Sequence, residues 1–289
     1  MEDPLGKLRV ACLTLTLCAP AVVCAQSRYH VAGLTADSSA TSGPVAINLA
    51  ADDVTLYNPS TGATQYVSNV LPTQDAINSG PCAGCRDSST AFPAGATVWF
   101  FFIGGPGVPL SVISSMNDPK TGPALPASYT SYAPAFPVIL NNSGKMSSPM
   151  RIRGDRAYYL DVPDTVGCSP YPPTPGICKL NVQQSISIKP LVPVGALEAI
   201  VEVDAELSAA ASVPVIAGLV FQASSTTNFA NLSVYVQAPN SPGAQNETFF
   251  VPLLAGDFNL RWTWMSVTGN GINYQSVFFI QGYTFSNES

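Results

Sequence analysis

Side chains able to do chemistry are scarce in this sequence, and their spacing narrows the chemistry further. His30 is the single histidine among 289 residues, so a Ser-His-Asp triad or a histidine-rich metal site has no raw material. Carboxylates gather in three places: Asp52-Asp53, Asp161 with Asp164, and the row Glu202, Asp204, Glu206. An acid and a base or nucleophile a few ångströms apart would support glycoside hydrolysis. Adjacent carboxylates with turn carbonyls would suit calcium. Acids at every second residue of a strand are more simply a solvated face, and that reading is taken here: no enzyme, and no cofactor, with calcium the one ion left open. Arg151 and Arg153 share a strand face, with Arg156 nearby. Their guanidinium forks fit an anionic glycan or a phosphate, or pair with local acids such as Asp155 or Asp161. Trp262 and Trp264 also share one face, so they are both sugar-stacking platforms or both core, and core is favoured. Arg153-Gly154-Asp155 spells a cell-adhesion tripeptide, but at three residues, in or beside a strand, it is read as coincidence.

The cysteines divide by position. Cys12, Cys18 and Cys24 fall in an apolar leader, and four remain in two close pairs, Cys82 with Cys85 and Cys168 with Cys178. An even count in close pairs suits an oxidising compartment and two disulfides, Cys82–Cys85 clipping an Ala-Gly turn and Cys168–Cys178 pinning a Pro-rich loop. A zinc site made of all four thiolates would need both pairs to converge in space. A thioredoxin-type redox motif is disfavoured, since Cys-Ala-Gly-Cys opens no helix in an α/β pattern.

These groups must be positioned by strands. After residue 25 no window shows a capped apolar stripe at helical spacing, whereas short β-rich runs recur between Gly, Pro, Asn and Asp. They include Val45–Leu49, Val54–Tyr57, Thr64–Val67, Thr97–Ile103, Phe136–Leu140, Arg156–Leu160 and Gln184–Lys189. Further on come Val213–Phe221, Leu232–Val236, Thr248–Val251, Leu260–Trp264 and Ser276–Ile280. Leu197–Leu207 is ambiguous, because Glu198, Glu202 and Glu206 would also line a helix face. Its unbroken period of two, with Ile200, Val201 and Val203, decides for strand. The expected fold is therefore all-β, in two β-rich parts. The segments are a leader at 1–25, a polar N-terminal segment at 26–44, a β-rich domain at 45–180 and an antiparallel, jelly-roll-like β-sandwich at 181–289.

The leader, Val10 to Ala25, has the length of a signal-peptide core and is too short, and broken by Pro20, to span a bilayer. A cut before Gln26 exports the chain and leaves no membrane span in the mature form. An uncleaved anchor, a mis-called start codon or a lipoprotein at Cys24 are the alternatives, although Val23 is not the small residue the last needs. Glu2 and Asp3 offset Lys7 and Arg9, where export signals usually carry net positive charge. A net charge of −6, with only 12 basic residues, argues against nucleic-acid binding. Charged residues make up only 10 %, while hydrophobic residues reach 46 %, which fits a folded chain with a neutral polar surface.

Several segments resemble tail-fibre and related fibre-like proteins of tailed bacteriophages and prophages. Ile47-Asn-Leu-Ala-Ala-Asp-Asp-Val-Thr-Leu-Tyr57 is similar to a recurring opening of that family. Thr97-Val-Trp-Phe-Phe-Phe-Ile103 followed by Gly104-Gly-Pro-Gly107 resembles its aromatic strand and turn. Leu125-Pro-Ala-Ser-Tyr-Thr-Ser-Tyr-Ala133 resembles its Leu-Pro-x-Gly-Tyr stretch, with Ser128 where glycine is usual. Arg151-Ile-Arg-Gly-Asp-Arg156 resembles its basic strand, and Ser185 to Pro193 the start of its C-terminal sandwich. The resemblance implies a non-enzymatic attachment protein that binds surface glycans and assembles as a homo-oligomer, commonly a trimer. Phage parts assemble in the host cytoplasm, so a leader and disulfides depart from the family and imply a secreted form. Two other readings stand beside it: a secreted carbohydrate-binding module or adhesin, and an extracellular filament subunit that donates Gln26–Ser42 to a neighbour.

Overall fold

The computed structural model describes residues 28–39, 43–162, 166–168, 181–209, 215–222, 228–236, 243–254, 257–266 and 272–286. The leader and Cys178 lie outside the described residues. Eighteen strands and no helix occur among the described residues. The chain is all-β. In the first half they are β1 (His30–Ala32), β2 (Thr35–Ser38), β3 (Ala46–Tyr57), β4 (Thr64–Ala76), β5 (Cys85–Arg86) and β6 (Thr97–Gly105). These are followed by β7 (Val108–Ser115), β8 (Ser131–Ile139), β9 (Met150–Arg153), β10 (Arg156–Tyr159) and β11 (Val166–Cys168). The second half supplies β12 (Gln184–Ser187), β13 (Ala196–Ala209), β14 (Val215–Gln222), β15 (Asn228–Val236), β16 (Gly243–Pro252), β17 (Asn259–Ser266) and β18 (Ile272–Phe285).

Fourteen strands form one sheet in the order β16-β13-β18-β10-β9-β2-β3-β4-β5-β7-β6-β8, with β1 on β3 and β11 on β18. A bridge from Tyr57 to Tyr132 joins β3 to β8 and curls that end of the sheet into a barrel-like ring. Strand β8 is buried at every residue and β6 at all but its first, one face toward the ring and the other toward the rest of the molecule. Burial on both faces explains why Trp99–Ile103 reads as an unbroken apolar run with no alternation. Pro134 sits where the β6–β8 register shifts, a place where a missing N–H is tolerated.

In the C-terminal half, β12-β17-β14-β15 form a second sheet that faces β16-β13-β18. Aromatic rings interlock between the layers. Phe221 lies 5.1 Å from Phe249 and 5.7 Å from Phe278, and Trp262 lies 4.8 Å from Phe278. That is an antiparallel sandwich, with the chain changing sheets from β15 to β16, to β17 and to β18 in the manner of a jelly roll. Leu197–Leu207 falls within β13, and Ala199, Val201, Val203 and Ala205 fill its inner face.

Two features qualify the expected segmentation. Strand β18 continues past the sandwich and pairs with β10, Ala157 opposite Tyr283, so the sheet runs through the 180/181 boundary. At that join Gln281 is bulged out, and a Cβ on Gly282 would lie 1.9 Å from the Ala157 carbonyl oxygen; only glycine permits the approach. The Tyr283 hydroxyl then donates to Pro137 O at 2.5 Å, and Phe285 packs 6.2 Å from Phe136. The described part of the segment 26–44 is also held in this sheet. β1 and β2 both pair with β3 in the same chain and bury Tyr29, Val31, Leu34 and Ala36.

Candidate functional site

A groove of about 590 Å³ opens where the two halves meet. One wall is the end of β8 and the turn after it, Ile139, Leu140, Asn141 and Asn142, with Ser147; the other is Ser187 at the end of β12 with Lys189, Pro190 and Leu191. Both walls are fixed by hydrogen bonds. Asn141 Oδ1 accepts from the backbone N–H of Ser143 (2.8 Å) and Lys145 (3.2 Å), the local capture typical of asparagine in turns. The Ser147 hydroxyl donates to Ile139 O at 3.1 Å. Opposite, Leu191 N–H donates to Ile188 O, the Tyr159 hydroxyl donates to Leu191 O, and Val194 N–H donates to Thr97 Oγ1 at 3.0 Å. Gly195 completes that anchorage. It has φ +96°, and a Cβ there would lie 2.7 Å from Trp99 Cζ2. Apart from Lys189, the polar lining is neutral amide and hydroxyl, over apolar Ile139, Leu140 and Leu191. Lys189 is the one titratable side chain among the lining residues. Such a surface offers donors, acceptors and an apolar floor to a polyhydroxylated ligand, and no acid–base pair.

The residues singled out in sequence lie elsewhere. Arg151 and Arg153 do share an exposed face of β9, but both pair with Asp37 of β2, at 2.9 and 3.1 Å, rather than with Asp155 or Asp161. Strand pairing brings in an acid 114 residues away in sequence. Arg156 approaches Asp155 at 3.9 Å and lies over the Phe250 ring at 5.1 Å. Trp262 and Trp264 are both buried in the sandwich core, and Trp264 Nε1 donates to Ser276 Oγ at 3.2 Å. Neither ring can stack on a sugar, which removes both from the candidate ligand-binding set. Glu202 and Asp204 lie on the outer face of β13 and accept from the Asn246 amide, with Gln281 also donating to Glu202. Among the described residues no group of three or more His, Cys, Asp or Glu is placed to hold a metal ion. His30 is in β1, opposite Thr55.

The disulfide Cys82–Cys85 is formed and clips the turn that leads into β5. Of the other expected pair, Cys168 ends β11 and Cys178 lies outside the described residues. Beside the clip sit two buried ionisable groups that left no trace in the local sequence. Asp75 on β4 is fully buried, accepts from Ser114 Oγ at 2.9 Å, and its other oxygen, Oδ2, has no partner. Burial pushes its carboxyl up to about 7; the Ser114 bond opposes the shift and the Asp87 charge adds to it. Arg86 on β5 is also buried and donates to three carbonyl oxygens, those of Ser88, Ser89 and Ile77.

No family model and no curated protein sequence matches the chain. Solved structures give remote matches. A Bacillus thuringiensis Cry1Da tryptic core variant has 7 % identity and TM-score 0.22, with 89 % of this chain and 52 % of that chain covered. The infectious bursal disease virus Gx strain structure has 8 % identity and TM-score 0.23, covering 90 % and 72 %. The mosquito-larvicidal Cry4Aa toxin of Bacillus thuringiensis has 7 % identity and TM-score 0.16, covering 87 % and 52 %. This chain spans about half the length of either toxin structure. At such scores the likeness carries no argument.

Proposed function

We propose that the chain is a non-enzymatic attachment protein of an extracellular or virion surface, and that it holds a surface glycan in the groove between β8 and the β12–β13 connection. The observation that carries the reading is the groove's lining: Asn141, Asn142, Ser147 and Ser187 over an apolar floor, on walls held by hydrogen bonds between side chains and backbone. Sugar hydroxyls need that mixture of donors, acceptors and apolar contact, and a preformed site loses little ordering entropy on binding. The Cys82–Cys85 disulfide supports an oxidising compartment. The tail-fibre resemblance adds a homo-oligomer, a trimer in the family, as the working assembly. A glycan array probed with the purified chain tests the reading, repeated with Asn142→Trp, which fills the groove from an exposed position. At least one glycan bound by the parent and lost in the variant is expected. Sedimentation tests the assembly: a trimer fits the fibre, a monomer a free binding module, and open-ended polymer a filament.

A further inference from the structure

The turn 143–145 has a second side. Ser143, Gly144 and Lys145 line another cleft, of about 230 Å³, whose far wall includes Arg86 and Asn78 and whose apolar wall includes Ile77 and Phe92. This cleft and the groove therefore share the 141–145 loop, which turns Asn142 toward one and Lys145 toward the other.

Two cations meet here without a counter-ion. Among the described residues neither Arg86 nor Lys145 forms an ion pair. Arg86 is only 8 % exposed, and its three hydrogen bonds go to neutral carbonyls, which leave the charge unbalanced. A buried charge is costly unless it is paired. Asp75 does not supply the pairing: its only side-chain partner is Ser114, and no ion pair joins it to Arg86. In a chain of net charge −6, two uncompensated cations at one cleft favour an anion. The guanidinium offers more N–H groups than its three bonds consume, in a fork that matches an oxyanion.

We infer that this cleft is an anion subsite for the carboxylate of an acidic sugar, continuous around the loop with the glycan groove. The inference rests on the glycan reading of that groove. Phe92 and Ile77 argue for a sugar acid over free phosphate, since phosphate has no use for an apolar wall whereas a pyranose ring does. The acidic residue sits against Arg86 and Lys145, and its neutral neighbours extend toward Asn142.

Titration calorimetry of the full chain with oligogalacturonate, its fully methyl-esterified neutral counterpart, and inorganic phosphate tests this. Tighter binding of the acid than of the ester is expected, by about tenfold at 0.15 M salt, with Lys145→Glu removing that preference and leaving ester binding unchanged. Lys145 is exposed, so the variant folds where a change at Arg86 would strip three carbonyls of their donor. Equal affinity for acid and ester, an acid preference untouched by Lys145→Glu, or absence of oligogalacturonate binding would overturn the inference. Phosphate binding without oligogalacturonate binding would overturn the sugar assignment. Acid binding that depends on Lys145 but not on Asn142 would uphold the subsite while refuting the groove.

Discussion

Asp75→Asn offers a clean test of the buried polar corner beside the disulfide. The carboxyl is fully buried, holds one hydrogen bond from Ser114 and has an unpartnered Oδ2. Its pKa is raised from 3.8 to about 7. The native state therefore binds this proton more tightly than the unfolded chain. The associated stability is complete below pH 3.8 and is lost as pH rises through 7. Three units at 1.36 kcal/mol each make the loss about 4 kcal/mol. Asparagine keeps the shape and cannot ionise, so it removes the pH-dependent part alone. Urea denaturation followed by tryptophan fluorescence, at about pH 3.5 and about pH 8.5, measures the difference between the two proteins at each pH. The variant gains about 4 kcal/mol relative to the parent between those pH values, whatever fixed cost the amide carries. A difference equal at both pH values would show that the Asp75 pKa is the same in the native and unfolded states, and the burial argument would fail with it.

Other predictions probe how the parts are joined. Tyr283→Phe removes the hydroxyl that donates to Pro137 O across the two halves, and costs about 1 kcal/mol. A single unfolding transition in both proteins checks that the halves act as one unit. Gly195→Ala forces a Cβ against Trp99 at positive φ and costs about 1–3 kcal/mol, read as a drop in the urea midpoint. Replacing Cys82 and Cys85 by serine opens a four-residue loop, and loop entropy puts the loss at about 2 kcal/mol. Trp264→Phe loses both volume and the bond to Ser276, and Trp262→Phe loses volume alone. The first should cost more by about 1 kcal/mol in the same denaturation assay.

Much of the architecture was legible because strands leave a local trace. Alternation placed Leu197–Leu207 in β13, and the uninterrupted Thr97–Ile103 run became the doubly buried β6. Trp262 and Trp264, two residues apart, had to share an environment, and they share the core. The β1–β2 segment leaves a weaker trace, since its apolar residues, Tyr29, Val31, Leu34 and Ala36, are spread among polar ones and broken at Gly33. Long-range pairing leaves none. Nothing near Arg151 or Arg153 points to Asp37, and nothing near Phe285 points to β10 or Phe136. The groove and the cationic cleft were illegible for the same reason. Each is made by short polar stretches around 141–147 that meet residues 187–191 in one case and residues 77–92 in the other only after the sheet closes.

Glycan binding in the groove is measured most directly as the affinity of the best array ligand for the parent and for Asn142→Trp. Saturable binding by the parent is expected, with a loss of about tenfold or more in the variant and unchanged thermal unfolding. Equal affinity in both proteins, or no glycan bound by the parent, would contradict it.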